Sequence, residues 1–249
     1  MADAGIVEIK NLSKSFDDLV VLKDISLEVS EGENLIVFGR SGTGKSVLLK
    51  CIIGLLEPDE GEVIVKGKNI QKLKPKELNE IRRNLGFLFQ GAALYDSMSV
   101  RENLEFPLIM NGKYSQKQLD EKIMRTLEHV SLTEAADKMP SELSGGMRKR
   151  IGLARSIITD PEIMLYDEPT TGLDPITSKE ISELILNLQM KFNMTSIVVT
   201  HDLICAQIIA DRAIFLREGK IFYQGVLSEL ENSSDPFLKN FFSNEIIKE

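Results

Sequence analysis

The chain has 249 residues, of which 43% are hydrophobic and 27% charged, and these proportions are typical of a globular protein with a substantial core. Its formal net charge of −8 argues against nucleic acid as a partner, because a polyanion is not attracted to such a surface. The sequence shows neither a secretion signal nor a bilayer-spanning apolar run, and Cys51 and Cys205 lie far apart in apolar contexts, which predicts a cytoplasmic protein with reduced cysteines.

Strand patterns dominate the first part of the chain. The segments with alternating or continuous apolar character are residues 6–9, 25–29, 35–38 and 85–89, with a hairpin at 61–70. The strand at 35–38 runs directly into a glycine-rich segment, and helical spacing then extends from Lys45 to Gly54. A strand, a glycine loop and a helix therefore follow one another without a break.

Helical patterns replace the strands between residues 91 and 160. Ser115 and Gln118 form a capping-box pattern that opens a helix ending near Val130, and a further helix begins near Ser144. We interpret this region as a helical subdomain.

The strand pattern returns in the final part of the chain. A helix opens at Asp174 and Pro175, where the cap and the first-turn proline stand in the preferred order. The predicted strands are residues 163–167, 195–200, 213–216 and 221–224. The last two flank Glu218 and Gly219, which predicts a second hairpin.

An amphipathic helix is predicted within the tail, residues 235–249. Its apolar face would hold Phe237, Leu238, Phe241, Phe242, Ile246 and Ile247. Packing within the chain, docking on a second subunit and docking on another cytoplasmic protein all remain open, because each would remove this face from water.

The glycine-rich segment matches the eight-residue phosphate-binding loop in full and lies between a buried strand and a helix. Glycines let the backbone wrap around phosphate oxygens, and the helix N-terminus supplies positive potential. Lys45 would reach the β and γ phosphates, and Ser46 would coordinate Mg²⁺. The predicted nucleotide-binding residues are Gly39, Arg40, Ser41, Gly42, Thr43, Gly44, Lys45 and Ser46.

Two carboxylates end the buried strand at residues 163–167. The carboxyl end of such a strand lies beside the phosphate loop, so Asp167 suits the Mg²⁺ shell. Glu168 follows at once and would orient or deprotonate the attacking water. A solvated pair of acids is the alternative, and the phosphate loop upstream favours catalysis.

Ser144, Gly145 and Gly146 form a second predicted anion-binding helix start. One nucleotide has only one γ phosphate to bind, so a second copy of the chain would explain the duplication. With these motifs in order, the sequence resembles the ATP-binding-cassette (ABC) family. The resemblance implies that the Ser144 segment of one subunit closes over ATP held by the phosphate loop of the other.

The resemblance covers nearly the whole chain and implies further site residues. Gln90 matches the glutamine that contacts Mg²⁺ and water, and His201 matches the histidine that contacts the γ phosphate. Asp174 ends the segment 171–174, which is similar to the loop through which two subunits sense each other. Phe16 falls where the family stacks an aromatic ring on adenine, with a place in the core as its alternative.

The family's fold is also implied. It is an α/β phosphate-loop NTPase fold, with a mixed sheet core, an N-terminal antiparallel β subdomain and an inserted α-helical subdomain. The chain would form a single ABC ATPase domain over residues 1–249. Its predicted parts are a nucleotide-binding core at 1–90 and 161–234, the helical subdomain at 91–160 and the tail at 235–249.

The sequence departs from the ABC family pattern at one position, because Met147 stands where many relatives carry glutamine. Together with residues 89–98 and 102–108, it resembles the Mla-type ATPases of bacterial lipid trafficking, which have mammalian-cell-entry (MCE) partners. The implied protein is an ATPase that dimerises around two ATP to drive a membrane permease. It would lie on the cytoplasmic face of the inner membrane, with an MCE lipid-binding subunit and a small cytoplasmic regulator as further candidate partners.

The resemblance also implies that the permease docks near Gln90 and the helical subdomain, in a region that includes Leu94 to Pro107. The apolar residues there are Leu104, Phe106, Leu108 and Ile109, which also suit plain helix packing. Two rival functions remain open, an importer ATPase for amino acids or ions and a soluble non-transport ABC ATPase. A lone phosphate-loop kinase or GTPase is disfavoured, because a kinase would not need the Ser144 segment and the sequence lacks the Asn/Thr-Lys-x-Asp motif with which a GTPase reads its base.

Overall fold

The computed structural model describes residues 5–112 and 114–246. The strands in these ranges are β1 Val7–Phe16, β2 Leu19–Val29, β3 Asn34–Phe38, β4 Glu60–Val65, β5 Lys68–Asn69, β6 Leu85–Leu88, β7 Ile163–Asp167, β8 Thr195–Val199, β9 Arg212–Arg217 and β10 Lys220–Gly225. The helices are α1 Lys45–Ile52, α2 Pro75–Arg83, α3 Val100–Asn111, α4 Gln116–His129, α5 Gly145–Ile157, α6 Pro175–Phe192, α7 Leu203–Ile209, α8 Leu227–Glu231 and α9 Pro236–Ile246. Short 3₁₀ turns occupy Ile70–Lys72, Thr133–Ala135 and Pro140–Glu142.

The larger sheet has the strand order β10-β9-β3-β8-β7-β6. Its inner neighbours all pair in parallel, and only β10 runs antiparallel, to β9. The carboxyl ends of β3, β6, β7 and β8 therefore meet at one edge of the sheet. In parallel α/β sheets this edge is where ligands bind.

The smaller sheet is antiparallel, with the order β2-β1-β4-β5. A large apolar cluster joins it to α1 and to one face of the larger sheet, and it includes Leu22 and Leu49. Residues of β3 alternate between this cluster, which receives Leu35 and Val37, and a second cluster on the opposite face. Burial on both faces explains why β3 is apolar throughout most of its length.

A third apolar cluster joins α3, α4 and α5, and its buried members include Leu104, Ile123 and Ile151. Together with the two sheets it confirms the predicted α/β fold with an antiparallel sheet and an inserted helical part. The exact division of the chain at residues 91–160 stays a prediction. Among the described residues, no helix has the length and apolar character needed to cross a bilayer.

Several local predictions are confirmed by side-chain contacts. Ser115 accepts a hydrogen bond from the amide of Gln118, and Asp174 accepts one from the amide of Thr177, so both residues cap the predicted helices. Both hairpins are present, as β4 with β5 and as β9 with β10. Cys51 and Cys205 are buried and carry free thiols.

The tail packs on its own chain over the residues whose side chains are described. Leu238, Phe241 and Phe242 are buried. The rings of Phe241 and Phe242 meet Phe38 of β3 edge to face, and Phe241 also meets Phe215 of β9. This contact matches the first of the alternatives for residues 235–249. The side chain of Ile246 and all of Ile247 lie outside what the structure describes.

Candidate functional site

A cavity of about 710 Å³ lies at the carboxyl edge of the larger sheet. It is lined by Phe16, Val21, Gly39, Arg40, Ser41, Gly42, Gly44, Lys45, Ser46, Val47, Gln90, Glu168, Thr171, His201 and Phe241. Loops that follow β3, β6, β7 and β8 supply most of these residues. The parallel register therefore brings together segments that are far apart in the sequence.

The phosphate loop requires glycine at specific positions. Gly39, Gly42 and Gly44 have positive φ angles of 155°, 80° and 96°, a region that side-chain-bearing residues seldom adopt. A Cβ on Gly39 would also lie 2.8 Å from the carbonyl oxygen of Leu216, and one on Gly44 would lie 2.8 Å from Leu22 Cδ2. The conformation of the loop therefore depends on glycine at these positions.

Lys45 begins α1 and is 7% exposed. Its ammonium donates hydrogen bonds to the carbonyls of Gly39, at 2.7 Å, and Arg40, at 3.2 Å. It also lies 3.6 Å from Glu168 Oε1. Burial lowers the pKa of Lys45, while the charge of Glu168 opposes that shift. The loop thus holds a cation beside its backbone amides.

Ser46 and Asp167 form an oxygen-rich pair next to the loop. Ser46 Oγ donates to Asp167 Oδ1 at 2.7 Å. A hydroxyl and a carboxylate are hard oxygen donors, the type that Mg²⁺ takes from proteins when phosphates and water supply the remaining ligands. In the described part of the chain no group of three or more His, Cys, Asp or Glu could hold an ion by itself. The pair fits an ion that binds together with a nucleotide.

Glu168 is 9% exposed and has three polar neighbours around its carboxylate. His201 Nδ1 lies 2.8 Å from Oε2, Thr171 Oγ1 donates to the same oxygen at 3.3 Å, and Lys45 approaches Oε1. Burial alone would raise the pKa of Glu168. The hydrogen bond and charge of His201, followed by the charge of Lys45, reverse that effect and lower it. The carboxylate is therefore ionised at neutral pH.

Two aromatic rings border the cavity from opposite ends of the sequence. Phe16 was predicted from the sequence, is 42% exposed and has Lys14 Nζ 5.6 Å from its ring centre. Phe241 was not predicted as a site residue, because it comes from the tail. The same tail places Phe237 with its ring centre 5.0 Å from the guanidinium of Arg40. An apolar helix of this kind gives no sequence signal that it reaches the phosphate loop.

Thr43 lines neither cavity, and its hydroxyl donates to the carbonyl of Arg40 at 2.9 Å within the phosphate loop. Four other predicted site residues lie on a second cavity, of about 500 Å³. Ser144, Gly145, Gly146 and Asp174 line it, and Ser144 Oγ accepts a hydrogen bond from the amide of Met147 at 3.2 Å. These four residues are absent from the lining of the phosphate-loop cavity. Within one chain the structure therefore separates the two predicted phosphate-binding helix starts.

The ABC transporter family profile matches residues 22–171. The chain belongs to the ABC transporter family. This span includes the phosphate loop, Gln90, the Ser144 segment and the Asp167–Glu168 pair. The family binds and hydrolyses ATP, so ATP binding and ATPase activity follow for this chain.

Individual relatives match most of the chain. It is 42% identical over 258 residues to the Arabidopsis thaliana protein TRIGALACTOSYLDIACYLGLYCEROL 3, chloroplastic, covering 97% of this chain and 74% of that one. It is 39% identical over 241 residues to the intermembrane phospholipid transport system ATP-binding protein MlaF of Haemophilus influenzae, covering 97% and 91%. The resemblance to Mla-type ATPases is thereby confirmed.

A solved structure extends the similarity to three dimensions. The dimeric ATP-binding cassette MJ0796, in a post-hydrolysis state with ADP and Pi, superposes with a TM-score of 0.81 at 34% identity. The match covers 89% of this chain and 98% of that one. That relative is both nucleotide-bound and dimeric.

Proposed function

We propose that this chain is the ATP-hydrolysing subunit of a transporter that moves phospholipid or another lipid in a bacterial envelope. The observation that carries the lipid assignment is the similarity to MlaF, because it extends over 97% of this chain and 91% of that protein. The ATPase itself rests on the family. In such systems the membrane subunits select the transported molecule. Identifying the membrane partner of this chain therefore tests the lipid assignment.

Within one subunit, the phosphate-loop cavity would hold ATP. The backbone of residues 39–46 and the ammonium of Lys45 would bind the phosphates, and Phe16 would stack on the adenine. Mg²⁺, when bound, neutralises phosphate charge, and Ser46, Asp167 and Gln90 would hold it.

Glu168 would orient water for in-line attack on the γ phosphorus. Its carboxylate is ionised, and its contacts to His201, Lys45 and Thr171 hold it at the cavity wall. Attack forms the new P–O bond as the bond to the β–γ bridging oxygen breaks, and the proton of the water passes to Glu168 or onward to phosphate. His201 would contact the γ phosphate and would lose this contact after hydrolysis.

Two copies would complete each site. The helix start at Ser144, Gly145 and Gly146 lies on a different cavity from the phosphate loop, which supports the proposal that it contacts the γ phosphate of the other subunit. Asp174 lines the same cavity as Ser144 and would belong to the same boundary. ATP would then join two subunits face to face, and hydrolysis would release them.

The predicted permease-docking run divides in two. Leu104 and Leu108 are fully buried in the helical cluster, which matches the alternative of plain helix packing for these two residues. Phe106 and Ile109 are exposed, as is Tyr95, whose ring centre lies 5.3 Å from that of Phe106. We propose that this exposed face, formed by α3 and the segment before it, contacts the permease from the cytoplasmic side.

A pull-down tests the partner assignment. The tagged Glu168→Gln variant, which should trap the ATP-bound state, is incubated with detergent-solubilised native membranes, ATP and Mg²⁺. We expect a multi-spanning permease together with an MCE lipid-binding subunit, bound lipid and a small cytoplasmic regulator. As a matched control, adding Ile109→Asp should remove the permease while ATP binding persists.

The alternative outcomes separate the rivals. Recovery of a permease with a solute-binding protein would replace the lipid with a small solute and leave the ATPase intact. Recovery of soluble proteins alone would refute transport.

A further inference from the structure

Lys149 on α5 is a buried lysine outside both cavities. It is 6% exposed, and lysine is seldom fully buried unless it is paired. Its ammonium donates to the main-chain carbonyl of Gln90 at 2.5 Å and to that of Glu168 at 3.1 Å. One side chain therefore joins α5, the segment after β6 and the end of β7.

Packing alone does not explain a charged group at this position. Burial lowers the pKa of Lys149, and the charges of Glu168 and Asp167 oppose that shift. An apolar side chain of similar size would fill the same volume without the loss of hydration that a buried ammonium suffers. The two carbonyl contacts are what a lysine adds.

The same helix contacts the segment after Gln90 at two further positions. Arg155 donates to the carbonyl of Ala93 at 2.5 Å and to that of Ala92 at 3.2 Å. A Cβ on Gly152 would lie 2.7 Å from Ala92 Cβ, so α5 and this segment are in close contact. Lys149, Gly152 and Arg155 are spaced three residues apart and share one side of the helix.

Glu168 has a backbone conformation that needs support. Its φ angle is 52°, in the left-handed region that is unfavourable for residues with a side chain. The amide of Glu168 donates to the carbonyl of Val199 at 2.9 Å, and Lys149 holds the carbonyl on the other side. The direction of the carboxylate depends on this backbone.

We infer that Lys149 is a positioning residue for ATP hydrolysis. By joining the carbonyls of Gln90 and Glu168, it fixes the Glu168 carboxylate relative to the helix that begins at Ser144. The inference rests on the proposed role of Glu168 in orienting water. A displacement of α5, when a second subunit contacts Ser144, would reach the Glu168 backbone through this one side chain.

Steady-state hydrolysis by the full chain, or by the intact complex, tests the inference. Lys149→Met keeps the length of the side chain and removes the ammonium, and we expect kcat to fall about 10- to 100-fold. The KM and the Kd for ATP should stay within about twofold, because the phosphate loop is untouched. Lys149→Arg, which keeps a charged donor, should recover part of the loss. Lys179→Met, at an exposed position on α6, is the control and should not change kcat.

A double-mutant cycle separates positioning from general damage. If Lys149 acts through Glu168, adding Lys149→Met to Glu168→Gln should cause no further loss of single-turnover hydrolysis. Unchanged kcat in Lys149→Met, a rise in KM alone, or additive losses would each overturn the inference. Loss of ATP binding in both Lys149 variants would assign the residue to folding alone. Wild-type turnover by Glu168→Gln would instead refute the proposed role of Glu168, and the inference with it.

Discussion

Phe16 borders the phosphate-loop cavity with an exposed ring. Stacking of a base on an aromatic side chain contributes about 1–3 kcal/mol, as judged by alanine substitution. We therefore expect Phe16→Ala to raise the Kd for ATP about tenfold and to leave kcat nearly unchanged. Phe16→Tyr keeps the ring and should bind like the wild type. Equal affinity of the alanine and wild-type proteins in calorimetric titrations would remove Phe16 from the site.

His201 controls the charge of Glu168 in a direction that kinetics can measure. Burial favours protonation of Glu168, and the contact with His201 holds its pKa below the ordinary value. His201→Ala should therefore raise the pKa of Glu168, so that normalised kcat falls at a higher pH than in the wild type. His129→Ala is the matched control, since His129 packs against Phe192 outside the cavity. If the fall of kcat in acid occurs at the same pH in His201→Ala and in the wild type, the influence of His201 on the pKa of Glu168 is contradicted.

The lowered pKa of Glu168 also affects the stability of the folded chain. A carboxyl whose pKa is lowered by folding contributes stability above its unfolded pKa, and that contribution disappears as the pH falls through the folded value. The difference in unfolding free energy between wild type and Glu168→Gln should accordingly shrink in acid.

At the scale of elements, α9 is an integral part of the fold. Phe242 is buried, with its ring centre 5.6 Å from that of Phe38 at the end of β3. Phe242→Ala should lower the free energy of unfolding by about 3 kcal/mol, because such truncations leave cavities. Phe222→Ala, at a position 42% exposed, should cost much less. Similar melting temperatures of the two variants would show that the tail does not pack on the sheet.

Sequence patterns predicted most elements but not their extent. Residues 6–9 and 25–29 were expected to be short strands, whereas β1 and β2 have 10 and 11 residues. Register shifts, such as the one between Ile9 and Leu12, break the alternation on which strand prediction depends. The helix α2 was missed because its residues are mostly charged and only Ile81 is buried.

The sequence likewise predicted only some of the residues of the candidate site. The phosphate loop and the Asp167–Glu168 pair follow buried strands, so their meeting at one sheet edge follows from parallel pairing. Lys149 and Phe241 approach the site through packing of α5 and α9, which no local pattern encodes. Contacts made by long-range packing are visible only in the folded chain.

At the scale of the whole molecule, the proposed ATPase is a dimer. Ser144 caps α5 on a cavity separate from the phosphate loop, and we propose that two chains form a complete ATP site. A bulky Ser144→Arg substitution should block closure without preventing nucleotide binding. Ser115→Arg is the matched control, since Ser115 caps α4 in the same manner at a distant position.

The deciding measurement is the mass in solution of the Glu168→Gln protein with ATP and Mg²⁺, by analytical ultracentrifugation. The 27.9 kDa chain should double its mass on addition of ATP, and the Ser115→Arg version should do the same. The Ser144→Arg version should bind ATP and stay a monomer. A wild-type-like mass change in Ser144→Arg, or a Glu168→Gln protein that binds ATP and stays monomeric, would contradict the two-chain site.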